Sequence, residues 1–290
     1  MKRFTLTAIL IAFFSVLASA QKLPTAAKVQ SVITAEENFN KLVARKGIKT
    51  AFLAVADPEG IVFKPNMKKI TDFYGGIDKQ PGSLTWKPKV ARISANGDLA
   101  FTAGPYIYDN GKGDDEKVYG DYVSVWKDDG DGNLKLLIDL GIQHPEAESE
   151  ATSDFKEPDP AKVKAPAKDP FAGKSVMMEY DKTFNFSLTK SALATYKEFL
   201  SPEGRYYFPG FEPMTGLDKV LKFIDNEAIS ISAETVSAGR STSNDLAYTY
   251  GTARITKGSI VSNFNYVRIW EVDAQKKLNV LLEVFSAVEK

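Results

Sequence analysis

The chain has no cysteine. That absence excludes disulfides, thiolate nucleophiles, zinc–thiolate sites, iron–sulfur ligation and a lipidated N-terminal cysteine. Histidine is almost missing as well: His144 stands alone among 290 residues, which argues against a His-rich metal site and leaves one imidazole at most for acid–base work. Neither sign of charge is in excess, because 37 Lys and Arg face 37 Asp and Glu. No global basic field exists to attract nucleic acid or anionic lipid. Long apolar runs are lacking except at the start. Lys2 and Arg3 precede an apolar stretch over 4–17, and Ala18-Ser19-Ala20 follow it. This pattern predicts a signal peptide over 1–20, cleaved before Gln21. The run is short for a spanning helix, which needs roughly 20 residues. The expectation is therefore an exported bacterial protein, periplasmic or secreted, with no stable membrane anchor after cleavage. Hydrophobic residues at 43% and aromatics at 11% are ample for a packed core, and without disulfides that core must carry the stability.

One unit is written twice. Asp57-Pro58-Glu59-Gly60, followed by Phe63 and Pro65, matches Ser201-Pro202-Glu203-Gly204, followed by Tyr207 and Pro209, at an offset of 144. Gly97-Asp98-Leu99-Ala100 matches Asn244-Asp245-Leu246-Ala247 at an offset of 147. Tyr122-Val123-Ser124-Val125-Trp126 matches Tyr266-Val267-Arg268-Ile269-Trp270, and LKLLIDLG (134–141) matches LNVLLEVF (278–285), again at 144. Between the copies, 145–174 is rich in Pro, Ala, Glu and Lys and almost lacks large apolar residues, so it reads as a semi-extended linker. The predicted organisation is a first domain over 21–144, the linker over 145–174 and a second domain over 175–290, each of single-core size.

Each copy opens with helical periodicity and continues with period two. Val29, Val32, Ile33, Phe39, Leu42 and Val43 predict a helix over 27–46, and Ile48, Phe52 and Val55 a second one. In the second copy Val176, Met177, Tyr180 and Phe184, then Leu188, Ala192, Tyr196 and Phe199, do the same. A further helix is expected over 216–225, with Thr215 and Asp218 resembling a capping box. Leu99, Phe101 and Ala103 begin the strands. Asp121 to Lys127 and 134–140 follow, separated by the turn Asp128-Asp129-Gly130-Asp131-Gly132-Asn133. Short turns between consecutive strands predict antiparallel pairing. The expected fold class is α+β: two tandem cone-shaped domains, each a curved antiparallel sheet covered by two or three N-terminal helices.

The run Gly97-Asp98-Leu99-Ala100, then Tyr122-Val123-Ser124-Val125-Trp126-Lys127, an acidic Gly-rich turn, and Leu134-Lys135 leading to Asp139 and Gly141, resembles the domain-of-unknown-function 4440 group of the nuclear transport factor 2-like superfamily. SnoaL-like and ketosteroid isomerase-like proteins belong to the same superfamily. Trp86-Lys87-Pro88 fits the pattern too, and the likeness spans about 36–141. The second copy departs from it, with no Trp-x-Pro, Arg268 for Ser124, Glu283 for Asp139 and Phe285 for Gly141. The resemblance implies a conical barrel whose sheet wraps a pocket closed by helices. Members include isomerases, dehydratases, small-ligand binders and association modules, so fold alone does not choose a function. Members also dimerise through the sheet, which implies a pseudo-dimer inside this chain or a homodimer.

Asp139 and Glu283 hold equivalent places on the last strands. Facing a cone, either is a candidate general base, with its pKa raised by burial; at a strand end, either only accepts backbone bonds or faces water. Tyr106, Tyr122 and Ser124 in the first copy, and Tyr207, Tyr266 and Arg268 in the second, are candidate ligand-binding residues. Arg268 has two readings, as a site for an anionic ligand or as a partner of Glu283. Tyrosines on strands equally serve as core. Trp126 and Trp270 are expected to pack, and His144 to be a loop residue. No cofactor or metal is expected. The Asp129–Asn133 stretch opens like a calcium loop, but Leu134 and Leu140 stand where that loop needs Gly and Glu. Gly111-Lys112-Gly113 lacks the rest of a phosphate loop, and no nucleophile elbow occurs. The leading function is the binding of a small, partly apolar molecule, or association; the alternative is an isomerase or dehydratase with Asp139 or Glu283 as base.

Overall fold

The computed structural model describes residues 25–113, 116–165 and 172–288, so the signal peptide expected over 1–20 falls outside the described residues. Helix α1 (Val29–Lys46) turns into α2 (Ile48–Val55) at Gly47, whose φ of 80° is open to glycine at no steric cost. Strands β1 (Ala56–Phe63) and β2 (Met67–Lys69), helix α3 (Ile70–Gly75), and strands β3 (Ser83–Trp86), β4 (Val90–Ile93), β5 (Leu99–Asp109), β6 (Val118–Asp128) and β7 (Leu134–Gln143) complete the first half. A two-residue strand β8 (Asp154–Phe155) follows. The second half runs α4 (Ala172–Leu188), α5 (Ala192–Phe199), β9 (Leu200–Tyr207), β10 (Met214–Thr215), α6 (Leu217–Glu227), β11 (Ser230–Arg240), β12 (Leu246–Lys257), β13 (Ile260–Val272) and β14 (Leu278–Ala287).

The two halves share one strand order. The first sheet reads β2-β1-β7-β6-β5-β4-β8, with β3 also paired to β5, and the second reads β10-β9-β14-β13-β12-β11. The fold class is α+β, but the sheets are mixed rather than antiparallel. β1 lies parallel to β7 and β9 parallel to β14, because a helix-containing excursion separates each of these strands from its neighbour. Pro88 explains the other asymmetry: it divides the first half's edge into β3 and β4, whereas the second half has one continuous β11. Two further expectations are corrected. The N-cap of α6 is Gly216 with no side-chain capping bond, and the Thr215 hydroxyl accepts from Arg205 instead. The linker is not free of the fold either: Asp154–Phe155 pairs parallel with Val90 and Ala91, and the Asp154 carboxylate binds Arg92 at 3.1 Å and Arg205 at 2.9 Å.

Alternation along the strands divides the core into three. On β6, Tyr122 and Trp126 face α1–α3, while Val123 and Val125 face the other way. On β13, Tyr266 and Trp270 face α4–α6, and Val267 and Ile269 face away. The outward rows from both sheets, including Ile138, Leu140, Leu282 and Val284, pack against each other as one apolar layer. Polar contacts at its rim are reciprocal. The Ala95 amide donates to Asp245 Oδ2 at 2.9 Å, and the Thr242 amide donates to Asp98 Oδ2 at 2.7 Å. Equivalent residues, Asp98 and Asp245, thus serve the opposite half in the same way.

Candidate functional site

The interior of the first half is open. A cavity of about 650 Å³ is lined by residues of α1–α3 and of β5, β6 and β7, and also by Pro209, Ser286 and Ala287 of the second half. Its wall is strongly aromatic: Phe39, Phe52, Phe73, Tyr74, Trp86, Tyr106, Tyr108 and Tyr122. Gly141 keeps the floor low, since a Cβ there would stand 3.1 Å from both the Asp121 carbonyl oxygen and the Tyr106 ring.

Asp139 is the carboxylate of this cavity. It projects from β7 opposite Ser124 of β6, whose hydroxyl donates to Oδ2 at 3.2 Å. Burial pushes its pKa up to about 6, against the opposing pull of the Lys64 ammonium and the Ser124 hydroxyl. Tyr106 and Tyr122 line the cavity, with Tyr74 of α3 joining them. Burial raises all three phenols, Tyr106 to about 12, and the Asp139 charge adds to the rise at each. The Tyr122 hydroxyl is buried and makes no hydrogen bond of normal geometry. Ser124 sits behind Asp139, fully buried, and does not reach the cavity wall.

A second carboxylate was missed in the sequence. Glu36 on α1 is fully buried and accepts from Trp86 Nε1 at 2.5 Å, from Trp126 Nε1 at 2.9 Å and from the Thr102 hydroxyl. Burial raises it to about 7; the three donors oppose that rise and the Asp139 charge adds to it. One signal was available: Glu36 lies on the stripe Val32–Phe39–Val43 that faces the core.

The second half is built on the same plan and is filled. Asp181 on α4 takes the place of Glu36, accepting from Thr249 at 2.8 Å while Trp270 Nε1 donates to that hydroxyl at 2.9 Å. Arg268 replaces Ser124, and Glu283, opposite it in register, replaces Asp139. The guanidinium reaches Glu283 Oε1 through Nε at 2.6 Å, and Asp181 Oδ1 and Asn185 Oδ1 through Nη1 at 2.7 Å each. Its faces meet Phe184 at 4.3 Å and Tyr266 at 4.0 Å. Phe285 occupies the volume left free by Gly141 and packs against Tyr206, Phe208, Phe264 and Tyr266. Burial alone would raise Asp181, but the Arg268 charge and the Thr235 and Tyr266 hydroxyls hold it below the usual carboxylate range.

Four candidates are therefore relocated. Glu283, Tyr266 and Arg268 belong to a buried polar core, because an internal cation pairs with both carboxylates; burial still holds Glu283 above the usual carboxylate range, against the pull of Arg268. Tyr207 lies on the outward face of β9, in the layer between the sheets. His144 is buried outside the cavity, with Nε2 2.8 Å from Asp121 Oδ2 and Nδ1 2.7 Å from the Pro145 oxygen. The Asp129 turn is a hairpin turn, its carboxylate accepting from the amides of Asp131 and Asn133. Among the described residues no cluster of three or more His, Asp or Glu suits a metal ion.

No family model matches the chain, and no curated protein matches it. Among solved structures, it is similar to a nuclear transport factor 2-like protein of Cytophaga hutchinsonii at 13% identity and a TM-score of 0.34, over 39% of this chain and 97% of that one. It is similar to a ketosteroid isomerase-like protein of Erwinia carotovora atroseptica at 12% identity and a TM-score of 0.35, over 43% of this chain and 100% of that one. An LEH-like epoxide hydrolase of M. tuberculosis is similar at 14% identity and a TM-score of 0.32, over 40% of this chain and 80% of that one.

Proposed function

We propose that this is an exported tandem protein of the nuclear transport factor 2-like type whose first half binds a small, partly apolar molecule, while the second half braces it and completes the cavity lining. The observation that carries this reading is the asymmetry between two interiors of one design: the second holds Arg268 and Phe285 where the first has Ser124 and Gly141, and the first holds about 650 Å³ of aromatic-walled space. That volume falls in the range of small-ligand sites, roughly 300–1,000 Å³. A thermal-shift screen of aromatic, terpenoid and polyketide-like compounds tests it, because a ligand that binds only the folded state raises the apparent midpoint. The control is Ser124→Arg, which brings the plug of the second half into the first. Hits are expected to lose their effect in that variant; shifts that persist undiminished count against the cavity. Export is tested separately, by N-terminal sequencing of the mature protein, which should begin at Gln21.

A second reading, an isomerase or dehydratase, is favoured by Asp139 alone. A carboxylate at about 6 is poised to act as a general base near neutral pH. Glu283 has no part in it. Exchange of enolisable protons for deuterium in small cyclic ketones, followed by NMR, should occur with the native protein and cease in Asp139→Asn if this chemistry operates.

A further inference from the structure

The filled half shows what the open half lacks. Every group that touches the Arg268 guanidinium has a counterpart in the first half. Asp181, Phe184 and Asn185 recur on α1 as Glu36, Phe39 and Asn40 with the same spacing. Tyr266 recurs as Tyr122, and Glu283 as Asp139. Only the cation is gone: Ser124 stands in the place of Arg268. Trp86, which has no counterpart in the second half, supplies part of the compensation. Its indole N–H binds Glu36, and its carbonyl accepts from Asn40 Nδ2 at 2.5 Å. Nothing comparable serves Asp139. Among the described residues the Ser124 hydroxyl is its single hydrogen-bond donor, and Lys64, which also lines the cavity, acts on it through charge alone. An acidic group walled by the rings of Phe39, Tyr74, Trp86, Tyr106 and Tyr122 has the composition that receives organic cations, through charge at one end and ring faces at the sides.

We infer that the first cavity takes a cationic ligand: an ammonium, amidinium or guanidinium on a small apolar body, its charged head against Asp139 in the position the Arg268 guanidinium fills in the second half. This inference rests on the proposed binding role and narrows its ligand class. Binding is linked to protons. Asp139 must be ionised to receive a cation, and the groups facing it are Glu36 from α1, Lys64 from the end of β1, Tyr74 from α3, Tyr106 from β5, and Tyr122 and Ser124 from β6. Of these Glu36, raised to about 7, also gains from an added positive charge. Affinity for a fixed cation therefore rises with pH through the region of Asp139 titration.

The test uses the full mature chain and four probes: benzyltrimethylammonium, benzamidine, its neutral analogue benzamide, and phenylacetate. Calorimetry or the fluorescence of Trp86 gives the affinities. Benzyltrimethylammonium and benzamidine should bind at least about tenfold more tightly than benzamide or phenylacetate, as expected for a charge-assisted contact in a poorly hydrated site. Between pH 5 and 7.5, benzyltrimethylammonium, whose charge does not titrate, should gain on the order of tenfold. Asp139→Asn should abolish both effects, and Asp139→Glu should keep them. Should Asp139→Asn fail to fold, the pH profile of the native protein decides. Benzamide or phenylacetate binding as tightly as benzamidine overturns the inference, as does cation affinity that ignores pH. If those probes bind and Ser124→Arg abolishes their binding, the cavity reading survives without a cation. If none of the four binds, and no member of the wider neutral screen does, both readings fall.

Discussion

Replacing Arg268 with Leu should be among the most damaging single changes in the protein, and its cost should depend on pH. The guanidinium is fully buried and bridges two equally buried carboxylates at 2.6 and 2.7 Å. Leucine leaves both carboxylates without a cation in a core formed by Tyr196, Tyr206, Phe184 and Phe285. Removing one member of a buried ion-paired set typically costs about 3–5 kcal/mol. For a unit of this size that corresponds to a fall of roughly 10–30 °C in its unfolding midpoint near neutral pH. The pH dependence follows from linkage. In the native protein Asp181 is held below its unfolded value, so its contribution is present above that unfolded value and fades as pH falls through the folded one. Burial already holds Glu283 above its ordinary value beside Arg268; in Arg268→Leu it rises further and Asp181 rises as well, the folded state holds the extra protons, and stability falls more steeply as pH rises. The gap between native and variant should therefore be widest near pH 8 and should shrink towards pH 5. Urea unfolding followed by tyrosine and tryptophan fluorescence at four pH values measures it. A loss below about 1 kcal/mol, or one constant with pH, would refute the view that Arg268 acts as a buried counter-ion. The neutral triple replacement Asp181→Asn, Arg268→Met, Glu283→Gln should recover most of the loss, since uncharged residues of similar volume leave no ion unpaired.

Three other outcomes are expected. Asp98→Ala and Asp245→Ala each remove one of the reciprocal amide contacts between the halves and should cost about 1–2 kcal/mol each by chemical unfolding, with signs of the halves separating in small-angle scattering of the double variant. Asp154→Ala should leave Arg92, 3% exposed, with only the more distant Glu271 carboxylate at 3.9 Å, and should expose the bond after Lys156 to trypsin far faster than in the native chain. The His144 imidazole, whose hydrogen bond to Asp121 is the main cause of a pKa above the ordinary histidine value, contributes stability that is complete below about 6.5 and is lost as pH rises through the folded value; the midpoint difference between native protein and His144→Gln should therefore narrow from pH 6 to pH 8.5.

The architecture was largely legible because it is duplicated. Helical stripes, strand alternation and the repeated Asp-Leu-Ala and Tyr-Val-x-x-Trp runs mark local structure, and local structure is what periodicity encodes. Parallel pairing of β1 with β7 and of β9 with β14 was not, since the partners lie about 80 residues apart in sequence and no local pattern states that contact. β8 escaped for the same reason: Asp154 is held by Arg92 from one half and Arg205 from the other, so composition alone left the segment free. At the site, Asp139, Tyr106 and Tyr122 line the cavity, whereas the sequence alone left a strand-end reading for Asp139 and a core reading for the tyrosines. Glu36 was passed over because its three donors come from β3, β5 and β6. Arg268 was the ambiguous case, and the residue that settles it, Asp181, sits on a different element.

Which parts of the two copies stayed alike follows from what each part touches. Asp98 caps an amide of the second half and Asp245 caps one of the first. A self-complementary contact of this kind needs the same residues on both sides, so the Asp-Leu-Ala blocks remain matched. The carboxylate–threonine–tryptophan set, Glu36–Thr102–Trp126 and Asp181–Thr249–Trp270, ties the first helix to the sheet in each half and is likewise kept. The interior positions take no part in those reciprocal contacts, which therefore do not couple Ser124 to Arg268 or Gly141 to Phe285. An empty interior forgoes packing worth several kcal/mol. Filling one copy recovers that stability, and the filled half then supplies the rigid neighbour against which the other can keep its cavity open.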